Sequence, residues 1–194
     1  MTRLSLCMIV RDEARFLPRC LASTRGIVDE IIVVNNNAAP GTSAEVAKTR
    51  AREVHEPIQG YGAAIRRGFR EAAGDLIVVS EPDGTFCARD VRKLLAYSED
   101  FEVVYGSRTV KELIWQGANM GLFLKWGNYS VAKLMEFLFD TTSLTDVGCT
   151  VRCLGPERPR YADLGQPIVL PALAQFAPPK VRITAITPID ERRQ

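Results

Sequence analysis

"DLIVVSEPDGTF", residues 75–86, decides the fold. A β-branched, apolar run of strand length ends abruptly in Glu81-Pro82-Asp83-Gly84, so a buried strand delivers two carboxylates, two residues apart, to an edge. Three other runs share the pattern: "LSLCMIV" (4–10), "EIIVV" (30–34) and "EVVYGS" (102–107) are almost continuous in apolarity, as strands covered on both faces are. Between them, "EARFLPRCLAS" (13–23), "TSAEVAKTRARE" (42–53), "GAAIRRGFREAAG" (62–74) and "ARDVRKLLAYS" (88–98) place apolar residues three and four apart with charges opposite, and Gly74 reads as a helix stop. Strand–helix alternation predicts right-handed crossovers and a doubly wound, mostly parallel α/β sheet flanked by helices.

In such a sheet, ligands bind beyond the carboxyl ends of the strands, where the strand order changes direction. The polar segments fall there: "RDE" (11–13), "NNNAAPGT" (35–42), "EPDGT" (81–85) and "SR" (107–108) each follow a strand. No G-x-G-x-x-G or G-x-x-x-x-G-K-[ST] loop follows any strand, which argues against a dinucleotide or P-loop site; "GYGAAIRRG" (60–68) is only a partial look-alike.

Composition narrows the classes further. A length of 194 residues, 46% hydrophobic and 25% charged, supports one core and a single domain over 1–194. A net charge of +2 gives no basic field for nucleic acid. Five cysteines without a CxxC pair read as reduced core thiols, and the lone His55 argues against a histidine zinc site or a Ser-His-Asp triad. The first residues reach charge too early for an export signal. Between Leu113 and Phe139, Lys125, Asn128, Lys133 and Glu136 interrupt the apolar run short of the ~20 residues a spanning helix needs. These features together predict a cytoplasmic chain.

The second half changes character. "ELIWQGANMGLFLKWGNYSVAKLMEFLF" (112–139) is helical in pattern but broken by Gly117, Gly121 and Gly127. Its aromatics, Trp115, Trp126 and Tyr129, fit a core or homodimer helix, the border of a lipid groove, or a membrane surface. "TTSLTDVGCTVRC" (141–153) is turn-prone and runs into a β-like stretch, and "KVRITAITPID" (180–190) looks like a last strand.

Glu81 and Asp83 suit a hard divalent cation, because Mg²⁺ and Mn²⁺ prefer oxygen ligands and share them with substrate phosphates. Such an ion would neutralise charge on a departing diphosphate. A solvated turn with ordinary Asp-Gly chemistry is the competing reading.

The succession "LSLCMIVRDEARFLPRCLAS", "VDEIIVVNNNAAPGTSAEVA", "GYGAAIRRGFREAAGDLIVVSEPDGTF", "VVYGSR" and "LTDVGCTVR" resembles a family-two glycosyltransferase with the GT-A fold, near its polyprenyl-phosphate mannosyl- and glucosyltransferase branch. The resemblance covers residues 3–154. It implies a nucleotide-sugar donor, Mg²⁺ or Mn²⁺, inversion at the anomeric carbon, and a polyprenyl-phosphate or sugar acceptor, with a place in cell-envelope biosynthesis and peripheral contact at the cytoplasmic membrane face.

By that resemblance, Glu81 and Asp83 hold the metal within the "EPD" that stands for Asp-x-Asp, with Pro82 beside the donor. "VRDE" stands for the family's Pro-x-Asn-Glu, with Val10 at the donor and Asp12 and Glu13 in the place of the Asn-Glu that meets the nucleoside, and Asn35 and Asn36 replace two acids near base and ribose. Gly62 belongs to a Gly-Tyr-Gly where the family has Gly-Lys-Gly. Arg108 matches a phosphate-binding arginine, Asp146 a general base or orienting acid, and Arg152, with Asn128, the acceptor side. Residues 1–110 thus form a nucleotide-sugar half and 111–194 an acceptor half.

The C-terminal segment departs from the family. Pro167, Pro171, Pro178 and Pro179 stand where a helix is expected, so either another protein or subunit completes the acceptor side or activity is weak. Two alternatives therefore accompany transfer: a catalytically weak nucleotide-binding or scaffolding protein, and a sugar-1-phosphate nucleotidyltransferase. The latter would want a Gly-rich basic loop that "VRDEARF" lacks.

Overall fold

A computed structural model describes residues 3–11, 15–83, 87–101, 103–107, 122–139, 151–155 and 181–185. Its chain order is β1 (Leu4–Val10), α1 (Leu17–Ser23), β2 (Glu30–Asn35), α2 (Thr42–Ala47), β3 (Arg52–His55), α3 (Tyr61–Glu71), β4 (Leu76–Ser80), α4 (Val91–Ser98), β5 (Val103–Ser107), α5 (Leu122–Phe139), β6 (Arg152–Leu154) and β7 (Val181–Ala185). One seven-stranded sheet runs β3-β2-β1-β4-β6-β5-β7. Every neighbouring pair is parallel except those made by β6, which runs antiparallel to both β4 and β5. The expected mixed α/β sheet is therefore present.

Strand pleating explains why the runs had to be apolar throughout. Along β1, Leu4, Leu6, Met8 and Val10 pack with Leu17 and Leu21 of α1, Val46 of α2, and Val91 and Leu94 of α4. The alternate residues Cys7 and Ile9 face the other way, onto Ala64, Ile65 and Phe69 of α3. Each strand face thus has its own helical cover. Burying one Val, Leu or Ile side chain contributes roughly 1.5–3 kcal/mol, and all seven β1 residues are buried.

Four details differ from the sequence reading. The second helix stops at Ala47, and the end of its expected span folds as β3. Thr49 causes the break: its hydroxyl donates to Val46 O at 2.7 Å and accepts from Ala51 N at 3.1 Å, turning the chain out of the helix. In β3 only Val54 is buried, and a polar outer strand carries no apolar signature to find. Gly74 does not end α3, which closes at Glu71 with Ala72 already extended. Its glycine is needed for packing, since a Cβ there would lie 2.8 Å from Arg3 O and Ser5 N. Finally, α5 runs unbroken through Gly127, and Trp126 (75% exposed) and Tyr129 (52%) lie on its surface rather than in a core.

At the amino-terminal end of the sheet a polar network ties β1, β2, β3, α3 and the loop after α3. Buried Ser5 donates to Glu30 Oε2 at 2.6 Å and accepts from Gly74 N at 2.9 Å. Ala73 N also donates to Glu30, at 2.9 Å. Arg52 bridges the Glu30 and Glu71 carboxylates at 3.3 and 2.7 Å. Burial opposes the Glu30 charge, but the bonds from Ser5, Ala73 and Arg52 outweigh it and hold the carboxyl below its usual range.

Candidate active site

The order of the sheet locates the site. From β1 the chain steps outward to β2 and β3, then crosses back through α3 to lay β4 on the other side of β1. The switch point is therefore between β1 and β4, whose register pairs Met8 with Ser80. Beyond their carboxyl ends lies a cleft of about 220 Å³. Val10 and Arg11 line it from β1, Asn36 from β2, Gln59, Gly60 and Tyr61 from the loop into α3, and Glu81 from β4.

Pro82 is buried and lacks an N–H, so the β4 ladder cannot continue past Ser80 and the chain turns outward. Glu81 and Asp83 flank it, both half-buried. Two oxygen-donor carboxylates at a cleft mouth fit Mg²⁺ or Mn²⁺, which keeps waters and substrate oxygens in its shell and needs only one or two protein carboxylates.

The three asparagines after β2 each have a distinct local task. Asn35 accepts from Ala38 N at 2.9 Å and donates to Glu53 Oε1 at 2.7 Å and Ser43 Oγ at 3.3 Å, closing the turn onto β3. Asn36 is buried; its amide donates to Glu56 O at 2.7 Å and Ile58 O at 2.8 Å, while its oxygen accepts from Gly60 N at 2.8 Å. Asn37 takes the left-handed turn, φ 59°, which Asn tolerates better than most residues. Gly60 holds φ 141°, a backbone region that side chains rarely adopt, and so directs the chain into α3.

Of the residues picked out from sequence, Val10, Asn36 and Glu81 come together on the cleft, and Pro82 and Asp83 follow directly. Asn35 is turned toward β3 and α2, and Gly62 is buried in the first turn of α3. Arg152 starts β6, its Cα in register with Val79 and Tyr105, so the antiparallel strand begins at the same rim. Asn128 is on α5. The side chains of Asn128 and Arg152, and all of Asp12, Glu13, Arg108 and Asp146, lie outside the described residues.

Gln59 was not anticipated. It lies on a strand-to-helix loop of the kind that carries ligands, but with β3 hidden in a helical pattern "EPIQGYG" did not read as following a strand. Of the cysteines expected in the core, Cys7, Cys20 and Cys153 are buried free thiols, whereas Cys87, also free, is only half-buried. Burial pushes Cys7 and Cys153 up to about 12, leaving both unreactive.

A doubly wound sheet with one antiparallel insertion, with two carboxylates following the strand at its switch point, is the GT-A class of fold. The profile of glycosyl transferase family 2 matches residues 5–151, and the chain belongs to that family. Among curated relatives, a TPR repeat-containing protein of Synechococcus elongatus is 42% identical over 84 residues, covering 43% of this chain and 21% of its own length. An uncharacterised glycosyltransferase of Mycobacterium bovis is 37% identical over 85 residues, covering 44% and 38%. The alignment thus spans well under half of either relative. Among solved structures, glucosyl-3-phosphoglycerate synthase of Mycobacterium tuberculosis with Mn²⁺, UDP and glucosyl-3-phosphoglycerate superposes with a TM-score of 0.68 at 13% identity, over 96% of this chain and 70% of that one. The same enzyme with Mg²⁺ and UDP gives 0.64 at 15% identity, over 96% and 70%. Among the described residues, no helix is long and apolar enough to cross a membrane.

Proposed function

We propose that the chain is an inverting glycosyltransferase that moves a sugar from a nucleotide-sugar donor to a phosphate-bearing or sugar acceptor. The observation that carries this is the position of Glu81: it directly follows β4 at the switch point and shares one cleft with Val10, Arg11, Asn36 and the 59–61 loop. Glu81 and Asp83 would hold Mg²⁺ or Mn²⁺, which neutralises charge on the departing diphosphate when bound. Matched structures carry Mn²⁺ or Mg²⁺ with UDP, which supports this choice of ion.

The rest of the chemistry belongs to the chain itself. The buried ends of β1 and β4 exclude water from one side of the cleft, and Pro82 fixes the direction in which the two carboxylates leave the strand. Gly60 would let backbone approach the donor closely at the start of α3, and Tyr61 takes the place of the family's lysine. Arg108 and Arg152 are our candidates for an acceptor phosphate, together with Asn128; Asp146 would orient the acceptor or, for a hydroxyl, accept its proton. A polyprenyl phosphate fits the sequence resemblance, and phosphoglyceric acid, present in a matched structure, is a smaller acceptor of the same charge class. The exposed Trp126, Tyr129 and Phe137 of α5 offer a surface for a lipid chain, a membrane or a second copy.

A binding-only protein is favoured by one specific observation: the amides of Asn35 and Asn36, where the family has acids, are committed to intrachain bonds. Calorimetry with UDP, GDP and dTDP in Mn²⁺ separates the cases. Binding that is lost in Glu81→Ala/Asp83→Ala supports the donor site, whereas no binding of any nucleotide sinks it. Tight binding with donor turnover no faster than buffer would select the binding-only reading.

A further inference from the structure

The asparagine that the family resemblance assigns to the donor is already saturated. Asn36 spends both amide hydrogens on Glu56 O and Ile58 O and its oxygen on Gly60 N, all within 2.7–2.8 Å. An aspartate could not make this clamp, because an ionised carboxylate has no hydrogen to donate and would face two carbonyl oxygens. The acid-to-amide exchange at this position therefore has a structural consequence: it nails the 56–60 loop across the end of β2. Ile58 N is held in turn by the Glu56 carboxylate at 2.8 Å.

This clamp brackets one residue. Ile58 and Gly60, on either side of Gln59, are both anchored to Asn36, and Gly60 adds its restricted backbone geometry. Gln59 itself is exposed, lines the cleft, and makes no hydrogen bond among the described residues. Its carboxamide presents a donor and an acceptor side by side, which complements the alternating donors and acceptors on a nucleobase edge. Asn36 directly follows β2, two strands from the Glu81 end of β4 in the order β4-β1-β2, or about 10 Å at ordinary strand spacing. A nucleoside diphosphate whose phosphates meet Glu81 and Asp83 would extend its base in that direction.

We propose that Gln59 is the residue that reads the donor's nucleobase, and that Asn36 is a positioning residue that holds it there. This rests on the nucleotide-donor reading above and adds to it which side chain determines base preference. The test measures Kd for UDP, CDP, GDP and ADP, and for inorganic diphosphate, each with Mn²⁺. In Gln59→Ala the preferred nucleotide weakens about fivefold, the loss of one or two hydrogen bonds, and the four nucleotides converge. Inorganic diphosphate, which has no base, binds as in the wild type. Asn36→Asp also loses base discrimination, with faster hydrogen exchange at the Gly60 amide, and so separates positioning from mere loss of stability, which would not alter the ratios.

Unchanged nucleotide ratios in Gln59→Ala would overturn the proposal, as would an equal loss for nucleotides and inorganic diphosphate. Failure of every nucleotide to bind the wild type would instead overturn the donor reading on which it rests.

Discussion

The two ends of the sheet use polar residues differently. At the amino-terminal end, Ser5, Glu30, Arg52, Glu71 and the backbone around Gly74 satisfy one another across four elements and a loop. At the carboxyl end, Asn35 and Asn36 also bond inward, but Glu81, Gln59 and Tyr61 line an open cleft. The same strands build both ends, so the core does not explain the difference. Connections do: at the amino-terminal end the segment between α3 and β4 bonds across β1 and β2 through Gly74 N and Ala73 N, whereas the carboxyl end lies at the switch point, where the strand order steps from β1 to β2 on one side and to β4 on the other.

Substitutions at the two ends should therefore separate function from stability. The largest effect is expected at the rim. Glu81→Ala/Asp83→Ala should cut metal-dependent donor binding or turnover by about 100-fold or more, while the thermal midpoint moves by no more than a few degrees. An equal loss in both measurements would erase the distinction. Next comes Gly74→Ala at the other end, whose Cβ would press on the backbone of Arg3 and Ser5. It should cost about 2–4 kcal/mol, lowering Tm by roughly 5–10 °C, and leave nucleotide affinity per folded molecule unchanged.

Ser5→Ala is smaller: it removes the hydroxyl shared by Glu30 and Gly74 N and should cost about 1–3 kcal/mol by urea denaturation. The pH profile sharpens this further. Because the Glu30 carboxyl is lowered in the folded state, its stabilisation is complete above its ordinary value of 4.5 and is lost as pH falls through the lowered one. Arg52→Met should flatten that acid limb in a urea-midpoint series. At the alkaline side the sign reverses. Cys7 and Cys153 titrate near 9.0 when unfolded but near 12 when folded, so stability present below pH 9 declines as pH rises toward 12. Cys153→Ala should make that decline shallower.

How much of this was legible depends on burial. The strands β1, β2, β4 and β5 declare themselves because they are covered on both faces, and an almost unbroken apolar run has few other uses. β3 does not, because an outer strand needs only Val54 in the core and "KTRARE" suits a helix equally well. Losing β3 also concealed the loop that follows it, and with it Gln59. β6 is three residues long, and its antiparallel insertion depends on pairing with β4 and β5 rather than on any local pattern. The carboxylate pair was legible because an acid-Pro-acid after a buried strand is a local feature; the task of each asparagine was not, because its partners are 3 to 24 residues away.

Periodicity and the residues that terminate each strand were enough for the layered α/β plan and the rim that Glu81 and Asp83 follow, and the ordered motifs were enough for the family. Only the tertiary structure decided that Gly74 is a packing residue, that Asn36 is a clamp, and that Gln59 is brought to the cleft. Those outcomes depend on which backbones meet across the sheet, and hydrogen bonds between distant segments leave no periodic trace in the chain.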